Sequence, residues 1–366
     1  MLRPKAFPAG LSLLCLLLVC GRASAIVAPP GTPADFTGQW SGTGWSMSTV
    51  GVYQWQGGVG SAVAVSAEYL LTVNHISVTP GDTWSPDGVN QYTVVSVSHP
   101  PAAGDGTPVD LTLVKLDHPL AHWETLYNGN LATNTSVIMI GHGLSGSTAG
   151  GDYFTWDTSS PKILRWGTNT IDLASGIGTD NGTFYSNGFA MWFDTTGSDY
   201  EAGYGEGDSG GGTFIKVGNK WELAGINAYV GKYTSYTYNR SYAVSVSSYY
   251  NWIINSMTVA GDANLDLQVS FADYQVLERN FGMTSGATWY DGDFNGDGAV
   301  NFADYQALEA NFGKSTLNAP AGLPTLQTPQ GGGPGVPEPA CLALLLAALP
   351  ALRKKRPSTK ALNPKL

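Results

Sequence analysis

Three side chains in this 366-residue chain have the types and settings from which chemistry is built. Ser209 lies in Gly205-Glu206-Gly207-Asp208-Ser209-Gly210-Gly211-Gly212, between an acid and a run of glycines. Glycine admits positive φ and close backbone approach, so such a loop can turn N–H groups toward one oxygen. A serine hydroxyl is unreactive at its own pKa and needs a nearby base and donors for a developing oxyanion. His75 ends the apolar stretch Ser66-Ala67-Glu68-Tyr69-Leu70-Leu71-Thr72-Val73-Asn74-His75, and Asp110 opens Asp110-Leu111-Thr112-Leu113-Val114-Lys115-Leu116. Taken singly, each has an ordinary reading: a Gly/Ser/Asp surface turn, a structural histidine, an aspartate at a strand start.

A second set of residues repeats. Gly261-Asp262-Ala263-Asn264-Leu265-Asp266 onward to Tyr274 recurs as Gly292-Asp293-Phe294-Asn295-Gly296-Asp297 onward to Tyr305. Side-chain oxygens fall at loop positions 1, 3, 5, 9 and 12: Asp262, Asn264, Asp266, Ser270 and Asp273, then Asp293, Asn295, Asp297, Asn301 and Asp304. Gln268 and Ala299 hold position 7, a backbone-carbonyl ligand in loops that wrap Ca²⁺. Each loop runs into an amphipathic helix, Phe271–Phe281 and Phe302–Phe312, with Val269 and Val300 linking the loops through a shared core. The first loop carries Leu267 where the sharp turn prefers glycine and the second carries Gly298, so the first site is expected to be weaker.

The elements that must position these residues are mostly strands. Charged residues make up 13% of the chain and there are 47 glycines and 18 tyrosines, a mix suited to an extracellular β-rich domain. Runs such as Ser61–Val65, Tyr92–Ser98, Leu111–Leu116, Ser136–Ile140, Gly212–Val217 and Trp221–Ala228 alternate with turn residues, the pattern of a barrel or sandwich. Ser245–Met257 reads as a short closing helix, and Ile26–Gly44 as an irregular lead-in.

The order His, Asp, Ser, each in its local setting, resembles the trypsin/chymotrypsin-like serine proteases over roughly residues 45–256. Leu71-Thr72-Val73-Asn74-His75, Asp110-Leu111-Thr112-Leu113-Val114-Lys115-Leu116 and Gly207-Asp208-Ser209-Gly210-Gly211 carry it, with Gly141-His142-Gly143 as a further turn of the same kind. The resemblance implies two six-stranded antiparallel barrels with the site between them. It makes Ser209 the nucleophile, His75 the general base and acid, Asp110 the group orienting the imidazole, and the N–H groups of Gly207 and Ser209 the oxyanion hole. It also places Gly203, Ala228 and Val230 around the primary pocket, where valine favours a small substrate side chain and no aspartate attracts Lys or Arg, although Glu201 and Glu206 nearby in sequence leave a basic preference open. Cleavage after Ala25 would expose Ile26-Val27, which by the same resemblance could insert its amine against Asp208; the following Ala28-Pro29-Pro30 lacks the usual glycines.

The repeat resembles a type I dockerin over residues 257–315, implying two structural Ca²⁺ ions and a cohesin-like partner. Its partner-reading positions hold Phe271-Ala272 and Phe302-Ala303 rather than a Ser-Thr pair, so a stabilising or spacer role competes with cohesin binding. The fold expectation is therefore an all-β double barrel followed by a small all-α calcium-binding domain. Residues 1–25 read as a signal peptide, with Arg3 and Lys5, the apolar Leu11–Val19, and Ala23-Ser24-Ala25 at the cleavage site. The protease domain spans 26–256, residues 316–335 form a flexible linker, and 357–366 a tail. Val336-Pro337-Glu338-Pro339, an apolar run to Leu352 and Arg353-Lys354-Lys355-Arg356 resemble a PEP-CTERM sorting signal over 336–356, which implies an exosortase-type partner and transient membrane association. A plain C-terminal anchor is the alternative.

Cys15, Cys20 and Cys341 all lie in these terminal segments, so the intervening chain has no disulfide to rely on. Residues 26–336 carry nine basic and 27 acidic side chains, a net charge near −18 that argues against nucleic-acid binding. Protein or peptide substrates fit, in the envelope or outside the cell. The competing reading is a non-catalytic envelope or matrix protein acting through calcium-dependent binding by the repeat.

Overall fold

The computed structural model describes residues 50–55, 58–180, 183–194, 200–232, 234 and 237–317. Short runs of β-branched and aromatic residues fold as pleated strands, because their stiff side chains pack well on such a surface. Strands β1 (Val50–Trp55), β2 (Gly58–Ser66), β3 (Tyr69–Thr72), β4 (Thr83–Ser85), β5 (Tyr92–Ser98) and β6 (Thr112–Leu116) close into an antiparallel barrel in the order β1-β2-β3-β6-β5-β4. In β2, Ala62, Val63, Ala64 and Val65 are all buried, so both faces of this strand are covered. Beyond the end of the β1 pairing, the Glu124 N–H bonds the Ala64 carbonyl at 2.9 Å, continuing the ladder along that edge of β2.

Eight strands come next: β7 (Ser136–Gly141), β8 (Gly146–Thr148), β9 (Phe154–Trp156), β10 (Arg165–Asp180), β11 (Tyr185–Trp192), β12 (Gly212–Val217), β13 (Lys220–Lys232) and β14 (Tyr238–Ser245). Their order is β11-β10-β7-β12-β13-β14-β9-β8, and pairing of β11 with β14 closes six of them into a ring. The ribbon β8–β9 is appended to that ring through Tyr238 and Phe154. Val137, Met139, Ile171, Phe189, Met191 and Ile215 form its core. The two expected six-stranded barrels are therefore present, and helix α1 (Val246–Met257) comes after the last strand.

The repeat folds as two loop–helix units, with α2 (Phe271–Asn280) and α3 (Phe302–Asn311) each starting in a capping box. The two units are related by reciprocal packing. A Cβ on Gly261 would meet Leu308 Cα of the second helix at 2.9 Å, and one on Gly292 would meet Leu277 Cα of the first at 3.0 Å. Val269 and Val300 are both buried, but each hydrogen-bonds the segment after the other unit's helix: Val269 with Gly313 and Lys314, Val300 with Gly282 and Met283.

The barrels and the repeat belong to one compact unit. Among the described residues, no helix is long and apolar enough to cross a membrane. The expected signal peptide, the Ile26 terminus, and the linker, sorting segment and tail beyond 317 lie outside the described residues.

Candidate active site

His75 sits on a short 3₁₀ turn, Asn74–Ile76, just beyond β3, and Asp110 in the bend before β6. Both therefore project from the end of the first barrel. Asp110 is buried and its carboxylate meets the histidine twice: Oδ1 accepts from the His75 backbone N–H at 2.9 Å, and Oδ2 contacts Nδ1 at 2.8 Å. That pairing fixes the ring and leaves Nε2 facing Ser209 Oγ at 3.0 Å. The expected residues His75, Asp110 and Ser209 are brought together in the order base-orienting acid, imidazole, hydroxyl.

Ser209 belongs to the second barrel, in the loop entering β12. Two of its glycines are there because nothing larger fits. Gly210 has φ +84° and a Cβ would lie 1.9 Å from the Ser61 carbonyl oxygen; on Gly211 it would lie 2.3 Å from that of Ile140. Among the hydrogen bonds of the described residues, none uses the N–H of Gly207 or Ser209. Their direction is set by the other end of each peptide, since carbonyl and N–H point oppositely across a trans bond. The Glu206 carbonyl is taken by the Leu144 N–H at 2.7 Å, and the Asp208 carbonyl by the Gly211 N–H at 2.9 Å.

The barrels hold each other's catalytic loops. Ser61 of β2 donates its N–H to the Ser209 carbonyl at 2.9 Å and its Oγ to the Gly207 carbonyl at 3.1 Å. In the other direction, Ser186 Oγ of β11 accepts the Asp110 N–H at 2.8 Å, and Tyr185 N–H bonds the Pro108 carbonyl at 3.0 Å. Neither serine is visible as a site residue in the sequence. Each lies in an ordinary strand, and only long-range pairing gives it this work.

Asp208 is fully buried beneath the nucleophile loop. Its carboxylate accepts from Gly143 N–H at 2.7 Å and Gly205 N–H at 2.6 Å, and Gly141 and Gly143 leave room for it. Burial pushes its pKa up to about 7, opposed by those two N–H groups and by the Arg165 and Lys162 charges. Arg165 is itself buried and is pushed down to about 10 by burial.

A cavity of about 300 Å³ opens beside Ser209, with Ala228, Tyr229, Val230, Trp156 and Glu206 in its wall. Of the residues expected around the primary pocket, Ala228 and Val230 line this cavity. Gly203 does not line the cavity. A Cβ there would meet the Phe154 ring at 2.4 Å, and Phe154 packs on Phe193 and Tyr238 as an aromatic plug. Trp156, stacked on Tyr238 at 4.2 Å, is part of the cavity wall. Glu206 at the rim is more than half exposed and pairs with Lys162 at 3.4 Å.

The two acidic loops form a separate candidate site. Among the described residues no group of three or more His, Cys, Asp or Glu side chains could hold a metal, so any cation must also use the Asn, Ser and carbonyl oxygens. The position-12 carboxylates act as helix caps: Asp273 accepts from Ala263 and Ser270 N–H, and Asp304 from Phe294 and Asn301 N–H. Asp293 spends its oxygens on the N–H groups of Gly296, Asp297 and Gly298. Asp262 differs: Oδ2 accepts from Thr258 and Leu267, while Oδ1 is buried without a hydrogen-bond partner. Burial and the neighbouring Asp273 and Asp266 push Asp262 up to about 7, an unfavourable balance that a cation beside Oδ1 would reverse. The donor set of the first loop therefore fits Ca²⁺.

Leu267 does not prevent that loop from turning. Leu265 and Leu267 adopt φ of +59° and +65°, where the second loop has Gly296 and Gly298 at +76° and +80°. A left-handed residue costs about 1–2 kcal/mol, but burying a leucine side chain returns about 1.5–3 kcal/mol, and both leucines are buried.

The family model described as Trypsin matches residues 44–253. Similar solved structures include neuropsin, a serine protease of mouse brain, at 16% identity over 58% of this chain and 95% of that one, TM-score 0.43. Human heparin binding protein matches at 14% identity over 57% of this chain and 90% of that one, TM-score 0.41. No curated protein sequence matches the chain. With the family model covering more than half of its length, the chain belongs to the trypsin family and is a serine endopeptidase.

Proposed function

We propose that the protein is an exported serine endopeptidase that cleaves protein or peptide substrates through His75, Asp110 and Ser209. The observation that carries this is the contact of His75 Nε2 with Ser209 Oγ at 3.0 Å, beside the N–H groups of Gly207 and Ser209. In the first step Oγ bonds to the scissile carbonyl carbon while His75 takes the hydroxyl proton. The oxyanion sits between the two N–H groups; losing one such donor typically costs about 3–4 kcal/mol of barrier. His75 then gives its proton to the leaving amine as the C–N bond breaks. In the second half a water, deprotonated by the same ring, bonds to the acyl carbon, and His75 returns that proton to Ser209 Oγ as the Oγ–acyl bond breaks and the acid leaves. Asp110 holds the tautomer throughout. Val230, with Trp156 in the same wall, favours a small side chain next to the cleaved bond.

The loop–helix repeat is proposed as a dockerin-like module holding Ca²⁺. Phe271 and Phe302, each 55% exposed at equivalent positions, support an apolar partner surface in place of a hydroxyl pair. Export by the signal peptide and processing of the C-terminal segment by an exosortase-type enzyme complete the reading, with an envelope or extracellular destination. Peptide hydrolysis by the mature secreted protein tests the central part. Wild type should turn over a peptide panel and Ser209→Ala should lose that turnover to background; equal rates in both would exclude a serine mechanism.

A further inference from the structure

Among the places where the two copies of the repeat differ, the pair Leu265 and Leu267 lies beside the catalytic domain. In the second loop, a Cβ on Gly296 would meet nothing within 4 Å, and one on Gly298 only Gly286 N at 3.7 Å. The matching residues of the first loop are the buried, left-handed Leu265 and Leu267. Beside them the loop backbone is bonded to the first barrel and to the segment leading out of it: the Ala67 N–H donates to the Leu265 carbonyl at 3.2 Å, and Trp123 Nε1 donates to the Asn264 carbonyl at 3.2 Å. Tyr290 contributes its hydroxyl oxygen to the Leu126 N–H at 3.0 Å.

Trp123 and Leu126 belong to the connector between the barrels. Glu124 N–H bonds Ala64 of β2, while Tyr127 N–H bonds Leu223 of β13, whose own N–H returns to Thr125 at 2.8 Å. The connector is thus fastened to a strand of each barrel, and its remaining polar edge to the repeat. Strand β13 continues to Ala228 and Val230 at the cleft.

We infer that the first loop is an internal brace, docked on the inter-barrel connector, and that a cation bound in it stabilises the catalytic domain. The coupling runs through Asn264, whose side chain is a candidate ligand and whose carbonyl holds Trp123. It runs also through Asp262, whose buried Oδ1 faces no donor and whose carbonyl holds Trp289, the neighbour of Tyr290. The inference rests on the calcium reading of that loop, and linkage makes it reciprocal: contacts that the cation strengthens must in turn strengthen cation binding.

The test uses the full mature chain carrying Ser209→Ala to prevent self-cleavage, with CaCl₂ as the only added ligand. Calorimetric titration gives Ca²⁺ affinity, and scanning calorimetry tracks unfolding with Ca²⁺ or after chelation. Ca²⁺ at 100-fold its Kd should raise the transition of the catalytic domain by about 5–10 °C. Adding Trp123→Phe and Tyr290→Phe should weaken Ca²⁺ binding about fivefold and shrink that shift. Asp262→Asn, which leaves the connector untouched, should abolish most of the shift and serves if the double variant does not fold. Binding that moves only a separate transition of the repeat would overturn the brace and leave the calcium reading standing; absence of Ca²⁺ binding would overturn both.

Discussion

The backbone N–H of Ser61, in the first barrel, donates to the carbonyl of Ser209, in the second, at 2.9 Å. With Ser61 Oγ on the Gly207 carbonyl, this one residue closes the gap between the wall that carries the base and the loop that carries the nucleophile. Ser186 does the reverse for Asp110. The triad distances are therefore set by reciprocal bonds across the barrel boundary as well as by each barrel's own ladder.

Removing the Ser61 hydroxyl should loosen the oxyanion loop while leaving the triad residues in place. Ser61→Ala deprives the Gly207 carbonyl and the His142 N–H of a buried partner, each worth about 1–3 kcal/mol when orphaned. We expect kcat on a peptide substrate to fall about tenfold, equal to about 1.4 kcal/mol, with KM little changed. A rise in KM at constant kcat would show that Ser61 acts on binding instead.

Acid stability should be governed by His142. It is buried, and burial together with the Arg165 charge pushes its pKa down to about 3 from 6.5. Between those values the unfolded chain binds the extra proton, so stability falls as pH falls through that window. Asp208, pushed up to about 7 from 3.8, has the opposite sign: the native chain holds the extra proton, and its contribution is lost as pH rises through that range. Melting temperature against pH should therefore drop less steeply toward acid in His142→Leu than in wild type. Parallel curves would remove His142 from the explanation.

Opening the cleft should change selectivity more than rate. Val230→Gly removes a side chain from the wall of the cavity without touching Phe154 behind Gly203. For peptides with a larger apolar residue before the cleaved bond, kcat/KM should rise about tenfold relative to those with alanine, the scale of a small change in an apolar pocket. An unchanged ratio would place the selectivity elsewhere, with Trp156 as the next wall to alter.

The leucines of the first loop offer a direct weighing of strain against burial. Leu267→Gly relieves a left-handed backbone worth about 1–2 kcal/mol but gives up a burial of about 1.5–3 kcal/mol. The expected net is a loss of about 1 kcal/mol and a melting temperature lower by about 2–4 °C. A gain in stability would mean that Leu267 packs poorly.

Much of this is legible in the chain because each triad residue sits in a local pattern that imposes its setting. The apolar stretch before His75 is mostly buried, which brings the histidine to the end of a core strand, and the glycines around Ser209 admit only a tight loop. The acidic repeat is legible for the same reason, since its spacing recurs after 31 residues. Ser61, Ser186 and Leu144 are not legible, because their roles come from partners 146, 76 and 62 residues away. Nor is the packing of Gly203 legible, because the ring of Phe154 that covers it lies more than 40 residues upstream. Leu267 looks like a flaw in a turn until its burial shows what the side chain is for.

The central claim is that Ser209 is a live nucleophile activated by His75. Labelling of the mature protein with a fluorophosphonate, read by intact mass and peptide mapping, tests it most directly. One adduct on Ser209 in wild type, lost in Ser209→Ala and strongly slowed in His75→Ala, is the result this structure predicts. Mature, folded protein that takes up no label, or takes it equally without Ser209, would contradict it.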